Sequence, residues 1–153
     1  SVMLLSELLT PQQIIPDMKA TSKKQVLSEL ASFAAGQLGI EDRMIQDVLV
    51  ERERLGSTGM GDGVAIPHGR LPQLDKLFVA FARLSRPVSF DSPDGRPVDL
   101  VFLLLTPESA DGDHLTALAK ISRMMRDERF CTLLRGMDKA EAIYSAILER
   151  DQK

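Results

Sequence analysis

The chain is poor in the residues that most often carry chemistry: among 153 residues it has one cysteine, Cys131, and two histidines, His68 and His114. A single cysteine excludes an intramolecular disulfide framework, and with no signal-peptide pattern at its start the chain reads as a protein of the reducing cytoplasm. The two histidines stand 46 positions apart with no local pair at ligand spacing, which argues against a zinc site and predicts no bound metal. Long apolar runs are missing too. The longest, from 98 to 105, is interrupted by Asp99 and is far too short for a bilayer, so no membrane insertion is expected. Nor is there an excess of positive charge: 19 Lys and Arg are interleaved with 22 Asp and Glu for a net charge of -3, which leaves no footprint for nucleic acid or an anionic membrane.

Familiar cofactor motifs are also missing. The glycine cluster from 56 to 63 lacks the Gly-Lys-Ser/Thr ending of a P-loop, and Gly59, Gly61 and Gly63 do not have the spacing of the dinucleotide fingerprint. The cluster precedes a strand instead of joining strand to helix. No Gly-x-Ser-x-Gly elbow is present, so Ser57 has no reason to be an activated nucleophile. No cofactor is expected. The glycines read as a loop delivering the chain to a sheet, small enough beside His68 to let a partner's backbone approach.

What is present is the pattern of one folded domain spanning 1–153, with 44% hydrophobic residues. The N-terminal half reads as helical. Ser22 with Gln25 is a capping box, and Val26, Leu27, Leu30, Ala34 and Leu38 follow helical spacing until Gly39, which predicts a helix over 22–38. A second helix is predicted over 42–55, its apolar stripe made of Met44, Ile45, Val48, Leu49 and Leu55 with Arg52 near its centre. The runs 64–66, 77–84 and 98–105 read as central strands, 87–90 as a short edge strand, and Asp62-Gly63 and Asp94-Gly95 as turns. Helical period then returns over about 111–126, capped by Asp111 or Asp113 and carrying Leu115, Leu118, Ile121 and Met125, and continues over 127–135 and 138–149, the last opened by a box of Asp138 with Glu141. The fold class expected is α/β, a mixed sheet with helices on both faces.

Three side chains stand out against this frame. His68 follows Val64-Ala65-Ile66-Pro67 and precedes Gly69; its imidazole titrates near neutrality and is a candidate nucleophile, or else a strand-end histidine bonded to backbone. Arg52 lies on the inward stripe of its helix, where a guanidinium needs an acid, a carbonyl cluster or an anion; Glu53 and Asp47 are the nearest acids. His114 falls in the first turn of a helix, where free N–H groups favour anions, or is a satisfied core residue. Together they make a phosphate-binding constellation, although spacing alone does not bring them together. Cys131, on an apolar helix, reads as core filler.

The stretch Arg52-Glu53-Arg54-Leu55-Gly56-Ser57-Thr58-Gly59, followed by Gly63-Val64-Ala65-Ile66-Pro67-His68-Gly69, resembles the active-site signature of the mannitol/fructose-type IIA proteins of the bacterial phosphoenolpyruvate:sugar phosphotransferase system. It is most similar to their nitrogen-regulatory branch, IIA-Ntr, and the likeness extends over almost the whole chain. The resemblance implies a phosphotransferase in which His68 accepts a phosphoryl group from an HPr-like carrier, NPr, Arg52 neutralises the phosphoryl oxygens, and His114 orients or stabilises the first histidine. It implies a fold with a mixed sheet of about five strands, and regulatory targets such as potassium transport proteins or sensor kinases. Two other readings remain: a sugar-specific IIA component that passes phosphate to a IIB domain, and a binding module without phosphotransfer. Met60, Val64 and Leu71 are the apolar residues near His68 on which a carrier could dock, with ordinary packing the stronger reading for Val64.

Overall fold

The first helix forms where its signals put it. In the computed structural model, which describes residues 4–108 and 112–152, α1 spans Lys23–Leu38, the Ser22 side chain accepts the Gln25 N–H, and Gly39 closes the helix in the left-handed conformation with φ of 68°. α2 follows over Asp42–Arg54 and buries Ile45 and Leu49. Val48 packs at the margin of the same core. Met44 and Leu55, expected on that inward stripe, are exposed, Leu55 by 80%. They stand near the two ends of the helix, beyond the sheet that covers its middle.

The sheet contains six described strands: β1 Ile14–Met18, β2 Gly59–Gly61, β3 Val64–Ala65, β4 His68–Arg70, β5 Phe78–Val88 and β6 Val98–Thr106. Their order is β1-β5-β6-β3-β2, with β4 also paired to β6. β5 and β6 run antiparallel, whereas β1 is parallel to β5, and β3 and β4 are both parallel to β6. The sheet is therefore mixed, as expected, with one strand more than the resemblance implied. The segment 87–90 is not an edge strand: Pro87 and Val88 end the long β5, after an irregularity in its pairing with β6. The expected glycine loop is partly strand, because β2 and β3 form a hairpin around Asp62 and Gly63, both at positive φ. Two successive positive-φ residues give a turn whose twist matches the strands it joins.

β6 is the hinge of the packing. Its Leu100, Phe102 and Leu104 join one apolar cluster, and Val101, Leu103 and Leu105 join the other. The first cluster is covered by α3 Asp113–Met125, α4 Glu128–Arg135 and α5 Ala140–Asp151, the second by α1 and α2. Helices thus lie on both faces of one α/β sheet. Asp113 and the box at the last helix do not cap as expected. Asp113 lies within the first turn of α3, whose cap position is Gly112, and Asp111 lies outside the described residues. α5 starts at Ala140 with Lys139 in the cap position and no side-chain cap, so the box expected from Asp138 and Glu141 does not form. Among the described residues no helix is long and apolar enough to cross a membrane.

Candidate functional site

His68 opens β4, directly after Pro67. β3 and β4 pair successively with the same edge of β6, Val64 beside Leu100 and His68 beside Leu104. Pro67 spans the break between them; its missing N–H costs nothing there, and its carbonyl accepts the Leu104 N–H at 3.0 Å. The result holds the His68 backbone in the sheet while its side chain remains half-buried at the margin of a cleft.

Each ring nitrogen of His68 has a distinct partner. Nδ1 lies 2.8 Å from the Ile66 carbonyl, which can only accept, so Nδ1 carries the proton. Nε2 is left with its lone pair, and the Arg52 Nε–H points to it at 3.3 Å. Burial is the main cause that holds the His68 pKa below the ordinary histidine value; the Ile66 carbonyl opposes it, the positive charge of Arg52 adds to it, and Glu53 opposes it more weakly. The ring is therefore neutral at pH 7, with Nε2 as its nucleophilic atom.

Arg52 comes from the last turn of α2. Its NH1 donates to the Gly56 carbonyl at 2.9 Å while its Nε meets His68. It pairs with neither candidate acid, since Asp47 is bridged by Arg43 and Glu53 by Lys23. His114 stands half-buried in the first turn of α3, not in the core. His68, Arg52 and His114 all line one cavity of about 680 Å³ between α2 and α3, so the three residues singled out in the sequence share one site.

The apolar lining is different from that expected. Val64 and Leu71 are each only 1% exposed and form no docking surface, whereas Met60 is half-buried and packs against the cluster under α3. The exposed apolar groups beside the cavity are Leu55, from the end of α2, and Leu115, from the first turn of α3, the latter 61% exposed. Both sit on the apolar stripes read from the sequence. Their position at helix ends is the signal that could have marked them as uncovered. Cys131 is buried, its thiol set against the Met125 carbonyl, and burial pushes its pKa up to about 11, so it is inert packing.

A neutral imidazole held by its other nitrogen, with a guanidinium beside its free nitrogen and an open apolar rim, has the chemistry to attack an electrophilic centre and to neutralise the anionic charge such a centre carries. Residues 7–150 match the family described as "Phosphoenolpyruvate-dependent sugar phosphotransferase system, EIIA 2", and the chain belongs to that family. A nitrogen regulatory protein of Bradyrhizobium diazoefficiens is 53% identical over 145 residues, covering 95% of each chain. One from Pseudomonas aeruginosa is 41% identical, again covering 95% of each. Among solved structures, the nitrogen regulatory protein IIA-Ntr of Neisseria meningitidis superimposes with a TM-score of 0.89 at 37% identity, covering 94% of this chain and 98% of the other. Within the family, sequence and fold both fall with the nitrogen-regulatory branch.

Proposed function

We propose that this protein is a cytoplasmic phosphocarrier of a nitrogen-related phosphotransferase system, which takes a phosphoryl group on His68 Nε2 from an HPr-like carrier and signals by its phosphorylation state. The observation that carries the reading is the pair of hydrogen bonds on the His68 ring, which leave a lone pair on Nε2 at the edge of an open cavity. In the transfer, that lone pair forms a bond to phosphorus while the bond between phosphorus and the carrier's imidazole nitrogen breaks. The breaking pair stays with the carrier's ring. His68 keeps its Nδ1 proton, and the Ile66 carbonyl stabilises the positive charge its ring acquires. Donor and acceptor both hold phosphorus through imidazole nitrogen, so the step is close to thermoneutral and reversible, as a relay or sensor requires.

Phosphoryl transfer asks the protein mainly for position and charge. Arg52 moves from Nε2 to the incoming phosphoryl oxygens, a short step because both lie on the same side of the ring. His114 supports the phosphorylated ring from α3. Leu55 and Leu115 give the carrier apolar contacts on either side of the cavity. Regulatory targets would meet this same face once the carrier has left.

The test is intact-mass spectrometry after incubation with enzyme I, an HPr-like carrier and phosphoenolpyruvate. The expected result is an acid-labile gain of one phosphoryl group that disappears in folded His68→Ala. No gain with either nitrogen-branch or sugar-branch carriers would leave a binding module. Efficient onward transfer to a IIB domain would make the chain a transport component instead of a regulator.

A further inference from the structure

Glu53 lies next to Arg52 in the chain, yet its side chain turns away from the cavity and is only 6% exposed. A carboxylate so buried is costly unless every oxygen is partnered. One oxygen accepts the Thr58 backbone N–H at 3.0 Å and pairs with Lys23 Nζ at 3.0 Å, and the other accepts the Thr58 hydroxyl. Lys23, from the first turn of α1, is itself placed over the ring of buried Phe90, 4.9 Å from its centroid. All of this fixes one short segment, the chain around Thr58.

The fixed segment leads back to the nucleophile. The Thr58 carbonyl accepts the Ile66 N–H at 3.0 Å, and the Ile66 carbonyl in turn accepts Nδ1–H of His68 at 2.8 Å. Ile66 precedes Pro67, and a residue before proline is confined to extended backbone conformations. Once its N–H is anchored on Thr58, the direction of its carbonyl is therefore largely determined. We propose that Glu53 is a positioning residue for phosphoryl acceptance, holding the proton of His68 on Nδ1, and the lone pair on Nε2, through Thr58 and Ile66. Two adjacent residues of α2 then control the two ring nitrogens: Arg52 directly at Nε2, Glu53 through the backbone at Nδ1. The consequence for transfer rests on the phosphocarrier reading, whereas the control of the ring's tautomer does not.

The test compares wild type with Glu53→Ala, Glu53→Gln and Thr58→Val in the full chain, each checked for folding by circular dichroism. Two quantities are read: the His68 tautomer, from long-range proton–nitrogen NMR spectra above pH 7.5, and the rate of phosphoryl acceptance. Wild type is expected to show Nδ1–H almost alone. In Glu53→Ala the Nε2–H form should become a readily detected population and acceptance should slow by about 10-fold or more, as when an outer partner that orients a functional histidine is removed. Glu53→Gln keeps an acceptor for the Thr58 N–H and should restore much of both. If Glu53→Ala does not fold, Thr58→Val decides the matter with a smaller shift in the same direction. A tautomer unchanged in the folded variants overturns the proposal, even if stability falls. A wild type that shows the Nδ1–H tautomer but accepts no phosphoryl group overturns the phosphocarrier reading alone.

Discussion

At the scale of the residue, His68 combines two opposing demands. For the proposed phosphoryl acceptance, its Nε2 must keep a lone pair at neutral pH, yet its ring must tolerate positive charge after the transfer. Burial and the guanidinium of Arg52 serve the first, and the bond to the Ile66 carbonyl serves the second. In an NMR titration the His68 midpoint should therefore lie below the free histidine value of about 6.5, and it should rise in Arg52→Ala, where a nearby positive charge is lost. A midpoint above 6.5, or one that falls in the variant, would contradict this electrostatic account. The same shift has a sign for stability. A histidine whose folded pKa is depressed binds protons more readily when unfolded, so its contribution is fully present above about 6.5 and is lost as pH falls toward the folded value. Acceptance should hold at 6.5 and fall as pH drops through the lower, folded value, because protonated Nε2 has no pair to donate.

At the scale of the element, the cleft depends on how closely α2 approaches β4. Gly69 follows His68, and a Cβ built on it would overlap Cγ1 of Val48 on α2. Gly69→Ala should therefore push α2 outward and carry Arg52 away from His68. The expected cost is about 1–3 kcal/mol of stability, the range for overpacking, together with slower acceptance. Val48→Ala removes the overlapping methyl groups, so the double variant should recover part of both losses, a coupling that thermal unfolding and acceptance rates would reveal. Strictly additive effects would show that the two positions do not meet. No sequence pattern announces this contact, because Gly69 reads only as a small residue after a histidine. The same limit explains the strands that the sequence did not reveal. β1 contains Pro16 and Asp17, and β2 is Gly-Met-Gly, so neither has an apolar alternation of its own; each is held by the strand beside it. The long helices were legible because one-sided burial imposes a period on them, and β5 and β6 because burial on both faces makes them nearly continuous apolar runs. Arg52 and His114 were legible as polar residues inclined toward apolar stripes, and His68 as an imidazole between an apolar run and a glycine. Glu53 was not, since its role depends on a hydrogen-bonded path that returns through the hairpin.

At the scale of the whole molecule, the site joins the two halves of the core: Arg52 comes from a helix on one face of the sheet and His114 from a helix on the other. Their separation is set by β6, whose successive residues Phe102 and Leu103 point to opposite faces and are both fully buried. If one sheet transmits packing to both layers, damage on either face must lower the stability of the whole. Phe102→Ala should cost about 3–5 kcal/mol and Leu103→Ala about 2–5 kcal/mol, as for other large-to-small changes in cores. The chain has no tryptophan and a single tyrosine, Tyr144, which packs beside the cluster under α5. Its fluorescence reports the face opposite to Leu103. Urea unfolding of Leu103→Ala, followed both by Tyr144 fluorescence and by far-ultraviolet circular dichroism, should give one transition with the same lowered midpoint by both probes. A tyrosine transition left at its wild-type midpoint would mean that the two layers unfold independently. In that case the distance between α2 and α3 would not be fixed by the sheet, and the alignment of Arg52 and His114 around His68 would need another cause.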